Sequence, residues 1–271
     1  MYILTYFFNL TKQIVLSAAL FAVPMLCAAE AVKSVDEEPT VIRPEINIVY
    51  TQNLTPENAL KHNFWNTIPG YRFYVNPYEL EELHRAPREG ATVKLAYDSN
   101  YLYVRAEMDD SDVLTTGTEN QSHLYLMGDL LEVFIKPLND SYYWEIYGTP
   151  NKLFSCFYFP SRAYLGGIPS IFGPTDVVIP VDAKVNGTFN KCDDRDNSWT
   201  SLIAVPRKVL EKNGLKFDKG SDWTIFISRY NYSRFLSSYE TSSFPQITGS
   251  FHSLAYYANV NFVKDKNGDV K

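Results

Sequence analysis

The sequence predicts an all-β fold, an antiparallel β-sandwich of jelly-roll type with one or two short helices. Three observations carry this. Short runs rich in Val, Ile, Tyr, Phe and Trp recur along the chain with turn residues between them. Helical signals are confined to two brief stretches. The 271 residues include 20 Tyr and 17 Phe, an aromatic excess that suits pleated, half-buried surfaces.

With 45% hydrophobic residues the chain can fill a large core, and its length fits one sizeable β domain. The formal charge of -6 is dispersed rather than blocked, so there is neither a basic stripe for phosphate backbones nor a polybasic patch for a membrane surface. Nucleic acid is therefore not an expected partner.

Lys12, an apolar run from Ile14 to Leu26, and the small residues around Cys27, Ala28 and Ala29 read as a secretory signal over residues 1–29. The run is shorter than the roughly 20 residues of a membrane-spanning helix, so cleavage after Ala29 and a secreted, periplasmic or cell-surface protein are expected, with no transmembrane segment in the mature chain. A retained anchor is the alternative. A lipid anchor at Cys27 is disfavoured by Pro24, Met25 and Leu26 before it.

Residues 30–44 are polar, contain two prolines and read as a flexible leader. A β domain over 45–265 follows, and 266–271 form a polar tail. The first strand is "INIVY". In "LTPENALKH", Thr55 as N-cap and Pro56 at the first helical position predict a short helix. "TVKLAYDSNYLYVRAEMDD" reads as a hairpin turning at residues 98–100, and "GDLLEVFIKPLNDSYYWEIYG" as a second one turning at "PLND". Further strands are expected at "LFSCFYF", "VDAKVNG", "SWTSLIAV", "WTIFISRYNY" and "ANVNFV", and a helix at "PRKVLEKNG" ending at Gly214. Residues 160–180 form a loop too long for an ordinary connection, in which Tyr164 and Phe172 could extend a binding face.

Beyond the signal only Cys156 and Cys192 remain. They permit one disulfide in an oxidising compartment, and the sequence does not decide between a bridge and two thiols. Neither has the spacing of a zinc ligand. Calcium is a candidate cofactor at "DDSDV", residues 109–113, where hard oxygen ligands cluster. That run lacks the glycine and distal glutamate of an EF-hand loop, and a solvated turn is the other reading.

The second hairpin poses a question of chemistry. Glu132 lies between apolar neighbours on one strand and Glu145 on the other. A "PLND" loop sets Glu132 opposite Glu145, with both carboxylates on one surface; a one-residue change sets Glu132 opposite Ile146 instead. A like-charged cross-strand pair is destabilising. It calls for compensation by solvent, a cation, an arginine such as Arg229, or sugar hydroxyls. The rings of Phe134, Tyr143 and Tyr147 suit apolar pyranose faces, while carboxylates take charge-assisted bonds from hydroxyls. Trp65, Trp199 and Trp223 read as core; Trp144 stands between core and platform.

The succession "LAYDSNYLYVRAEMDDSDV", "GDLLEVFIKP", "YYWEIYGTPNKLF", "SWTSLIAVP" and "SFHSLAYYANVNF" resembles the family 9 carbohydrate-binding modules of secreted polysaccharide-degrading enzymes, part of the wider DOMON-like β-sandwich group. The resemblance covers residues 45–263. It implies a non-catalytic sugar-binding protein in which Glu132, on the D-x-x-E-x-F strand, accepts hydroxyl hydrogen bonds between two aromatic rings. One ring falls at Leu126 with Tyr125 beside it. The other falls at Phe251, where the family has tryptophan. A family arginine falls at Glu145, so its contact is missing here.

The expected function is accordingly a secreted carbohydrate-binding protein supporting polysaccharide catabolism beside an enzyme such as a glycoside hydrolase. Glu132, Glu145, Tyr125, Phe251, Trp144 and Arg229 are the candidate ligand contacts, and an oligosaccharide or polysaccharide is the partner. Two alternatives come from other classes. One is a glycosidase using Glu132 and Glu145; the other is a haem-binding, DOMON-like electron-transfer protein with axial ligands drawn from His62, His84, His123, His252, Met108 and Met127.

Overall fold

The computed structural model describes residues 42–76, 84–161 and 173–264. Expectations for the signal, for most of the leader, for Tyr164 and Phe172, and for the tail lie outside the described residues. Among the described residues no helix is long and apolar enough to cross a membrane.

The chain is a β-sandwich. Its strands are β1 (Glu45–Tyr50), β2 (Tyr71–Arg72), β3 (Tyr74–Val75), β4 (Ala91–Tyr97), β5 (Tyr101–Asp109), β6 (Leu130–Pro137) and β7 (Tyr143–Gly148), then β8 (Phe154–Phe159), β9 (Gly173–Pro174), β10 (Val181–Asn186), β11 (Ser198–Pro206), β12 (Trp223–Asn231), β13 (Glu240–Phe244) and β14 (Ala258–Lys264). Hydrogen bonding runs continuously in the order β10-β11-β5-β4-β1-β14-β12-β6-β7-β8-β9, with β2, β3 and β13 attached beside it. Pairing is antiparallel except at β1, which lies parallel to both β14 and β4.

This path folds back on itself. Gly148 of β7 sits so close to β11 that an added Cβ would come within 2.8 Å of Ile203. Between the two layers lies the main core, including Ile48, Leu95, Val104, Val133, Ile146, Trp199, Ile203, Trp223 and Ile227. Its completeness follows from the period-2 alternation of the strands. Trp65, Trp199 and Trp223 are buried, as the sequence predicts.

Both outer faces are covered as well. On one, residues 59–68 lay Phe64 and Trp65 over Ala96, Tyr103, Leu202 and Ala204. On the other, the segments around 124 and 247–257 cover an aromatic cluster on β6, β7, β8 and β12 that includes Phe134, Tyr143, Tyr147, Phe157 and Phe226. Hence every residue of β6 is buried, with no alternation in exposure. The candidate binding cavity opens in this second cover.

Most predicted elements form. The hairpin at residues 98–100 closes through Asp98, whose Oδ1 accepts the backbone N–H groups of Asn100 and Tyr101 at 2.6 and 2.7 Å. The helix after Val205 runs Arg207–Leu210, continues as a 3₁₀ turn over Glu211–Asn213 and stops at Gly214, whose φ of 94° suits glycine. After Thr55 the chain makes 3₁₀ turns, Ala59–Lys61 and Asn63–Thr67, rather than an α-helix. Proline, glycine and bulky aromatics leave too short a helical stretch there to nucleate one. The strands β2, β3 and β13 were not expected; they are short, and pairing rather than local pattern defines them.

The register of the second hairpin differs from both expected alternatives. Glu132 pairs with Tyr147 and Glu145 with Phe134. The connection is longer than "PLND", because residues 138–142 all lie outside the strands. Cys156 is buried and Cys192 exposed, and both are free thiols.

Candidate binding site

A cavity of about 480 Å³ opens on the outer face of the β12-β6-β7-β8 layer. Glu132, Phe134, Glu145 and Phe157 form its strand-borne floor, while Tyr125, Tyr230, Tyr239, Phe251 and His252 stand around it. Strand parity puts the floor together. Glu132 and Phe134 alternate with core residues Val133 and Ile135, and their ladder partners Tyr147 and Glu145 share that outer face. On β12, Phe226, Ser228 and Tyr230 turn the same way.

The walls come from loops that specific bonds hold. Gly128, with φ of 140°, lets the chain pass so close to Leu114 O that a Cβ would meet it at 2.5 Å. The next residue, Asp129, is fully buried and accepts the backbone N–H groups of Leu114 and Tyr232 at 2.7 and 2.8 Å. Tyr232 in turn donates its hydroxyl to Tyr125 O at 2.7 Å, which fixes the Tyr125 turn. Opposite, the buried Tyr257 donates to Phe251 O at 2.6 Å.

The rings that result form a contiguous surface. Tyr230 sits between the two walls, 5.7 Å from Tyr125 and 5.6 Å from Phe251 between ring centroids. Tyr239 stacks on Tyr230 and Tyr232, at 6.1 and 5.2 Å, and is 51% exposed. It therefore offers a face to a ligand. His252 contacts Phe134 and Phe159 edge-on or tilted, and its Nδ1 lies 2.8 Å from the Tyr143 hydroxyl. Burial holds its imidazole below the usual range, so it is neutral at neutral pH.

The floor carries the unusual electrostatics. Glu132 and Glu145 are almost completely buried and hydrogen-bond to each other. Ser228 Oγ donates to Glu132 Oε2 at 2.8 Å, and the Tyr147 hydroxyl donates to Glu145 Oε1. Burial pushes both carboxyls up, and Glu145 beside it pushes Glu132 further. Raised carboxyls that lie together favour sharing a proton over ionising together.

Four of the six sequence-predicted contacts therefore come together: Glu132, Glu145, Tyr125 and Phe251 all line the cavity. Two do not. Arg229 pairs across from Leu131, one residue out of phase with Glu132, and so lies on the opposite face of the layer. There it is fully buried, with its Nη2 2.9 Å from Asp110 Oδ2. It cannot neutralise the glutamates. Trp144 is opposite Ile135 and packs in the main core against Trp223, at 6.3 Å. Tyr143 and Tyr147 are buried beneath the cavity rather than offered as platforms. Leu126 is 66% exposed, beside the Tyr125 turn.

The candidate calcium run is otherwise engaged. Asp110 holds Arg229, and Asp112 accepts the Arg234 backbone N–H at 2.8 Å. Among the described residues no group of three acidic, histidine or cysteine side chains is arranged to hold a metal. Tyr230, Tyr239 and His252 are site residues that sequence reasoning missed. For Tyr230 a signal existed in strand parity, since it lies four residues after Phe226 on the same strand and so on the same face; for the other two the chain folds back from loops that no local pattern announces.

Residues 62–156 match the family model described as carbohydrate family 9 binding domain-like. No curated protein matches the chain. Among solved structures, a candidate carbohydrate-binding protein from Bacteroides uniformis ATCC 8492 superimposes with a TM-score of 0.61 at 10% identity, covering 81% of this chain and 99% of that one. A family 9 carbohydrate-binding module from Caldicellulosiruptor kristjanssonii in complex with cellotriose gives 0.50 at 14% identity, covering 84% and 97%. The same description in complex with glucose gives 0.50 at 13% identity, covering 84% and 100%. The resemblance to family 9 carbohydrate-binding modules is thus borne out, in sequence over residues 62–156 and in fold over most of the chain.

Proposed function

We propose that the chain is a non-catalytic carbohydrate-binding protein whose ligand enters the cavity between Tyr125, Tyr230, Tyr239 and Phe251. Rings there cover the apolar face of a pyranose, and the Glu132–Glu145 pair accepts hydrogen bonds from its hydroxyls. The observation that carries this reading is the pairing of an aromatic wall with a buried, proton-sharing carboxyl floor in a cavity of about 480 Å³. That size is within the range for small-molecule sites. The cellotriose and glucose held by neighbours in fold support the same ligand class.

The geometry argues against hydrolysis at this pair. A retaining glycosidase keeps its two carboxyls about 5 Å apart on either side of the scissile bond. Here the two carboxyls are engaged with each other, with Tyr147 and with Ser228, an arrangement unlike two acids set on either side of a scissile bond.

Secretion and a role beside polysaccharide-degrading enzymes such as glycoside hydrolases belong to the same proposal. The apolar run from Ile14 to Leu26 with small residues after it supports export. A glycan array followed by calorimetric titration tests binding, and a chromogenic glycoside tests turnover. Binding without hydrolysis is expected; hydrolysis lost on Glu132→Gln would reverse the assignment.

A further inference from the structure

The cavity does not end at Tyr239. On its far side lies a second cavity of about 370 Å³, and the two share Asn76, Tyr239 and Thr241 in their walls. The chemistry changes across that seam. On the first side the floor is made of acceptors, Glu132 and Glu145. On the second side Arg85 and Arg88 are among the lining residues.

Glu240 also lines the second cavity. The acid is engaged by the main chain: Glu240 Oε1 accepts the Arg88 backbone N–H at 3.0 Å. Arg88 itself is exposed. At the seam, Asn76 Oδ1 accepts the Ser243 hydroxyl, while its Nδ2 is buried without a partner. A donor without an acceptor at that depth is costly.

We propose that the binding cleft is an extended one whose second subsite takes an anionic sugar, its carboxylate or sulfate held by Arg88. Guanidinium groups suit both anions through paired N–H donors. Tyr239, exposed on its stack of tyrosines, is the ring that a chain of sugars crosses between the subsites. The inference rests on the carbohydrate-binding reading of the first cavity and adds the ligand's second unit and its charge.

The test uses the whole mature chain and matched oligosaccharide pairs, neutral or carrying one uronic acid or one sulfate, titrated by calorimetry at low and high salt. Acidic members should bind about tenfold more tightly than their neutral counterparts, and the advantage should shrink with salt. Arg88→Gln should abolish the preference and leave both neutral affinity and melting temperature unchanged. A preference for uronate alone, or for sulfate alone, names the anion. Equal binding of neutral and acidic members, with Arg88→Gln silent on both, overturns the second subsite while leaving the first intact. Failure of every member to bind removes both readings.

Discussion

The carboxyl groups of Glu132 and Glu145 meet on a diagonal of the β6–β7 ladder and hydrogen-bond to each other, with Glu132 opposite Tyr147 and Glu145 opposite Phe134. Among the described residues that line the cavity there is no lysine or arginine, and Arg229 is on the other face. The fold tolerates the pair by keeping a proton in it.

That arrangement sets a pH dependence. Both folded-state values are raised above the unfolded ones, so the folded protein binds more protons, and stability falls as pH rises above about 4.5. Glu132→Gln keeps a donor toward Glu145 and cannot ionise. Its melting temperature should match the parent's near pH 4 and exceed it increasingly toward pH 8. Comparing parent and variant cancels other buried acids such as Asp129. A gap that stays constant with pH would show that the pair is not shifted.

Arg229→Met should destabilise the fold by about 3–5 kcal/mol, because it strands the buried Asp110 carboxylate. Urea unfolding measures this. Sugar affinity of the folded fraction should not change, in contrast to the ligand contact that sequence reasoning assigned to Arg229.

Trp144→Ala should cost about 3–5 kcal/mol as a large core truncation. Its affinity for a glycan should stay at the parent's value. A fall in affinity without a fall in stability would put Trp144 back among the sugar contacts.

Tyr239→Ala gives the reverse pattern. The ring is half exposed, so its loss should barely move the melting point. Glycan binding should weaken by about 1–2 kcal/mol if the ring is a platform.

These residues also show what the sequence could and could not convey. The shared face of Glu132 and Glu145 was legible although the register was misjudged by two residues. A slip of two preserves side-chain parity, whereas a slip of one reverses it. Trp144 and Arg229 were misplaced for a related reason: their assignment followed chemistry, aromatic or cationic, rather than the alternation of their own strands. Ile225, Ile227 and Arg229 share one face of β12, and Phe226, Ser228 and Tyr230 the other. Tyr239 and His252 were beyond reach because each arrives from a loop whose course depends on contacts remote in sequence, as with Tyr257 holding Phe251. The strands β3 and β13 escaped likewise, since pairing defines them, β13 along β12 and β3 along β13.

The most direct test of the account is calorimetric titration of a glycan ligand, identified on an array, against the parent chain and the double variant Glu132→Gln, Glu145→Gln. The double change keeps shape and hydrogen-bonding capacity but removes the charge that one acid alone would retain. The expected result is a loss of about 1.5–3 kcal/mol in binding, the range for hydrogen bonds to a charged group, with a melting temperature at pH 7 equal to or above the parent's. Equal affinity for variant and parent would contradict the claim that the carboxyl floor contacts the sugar.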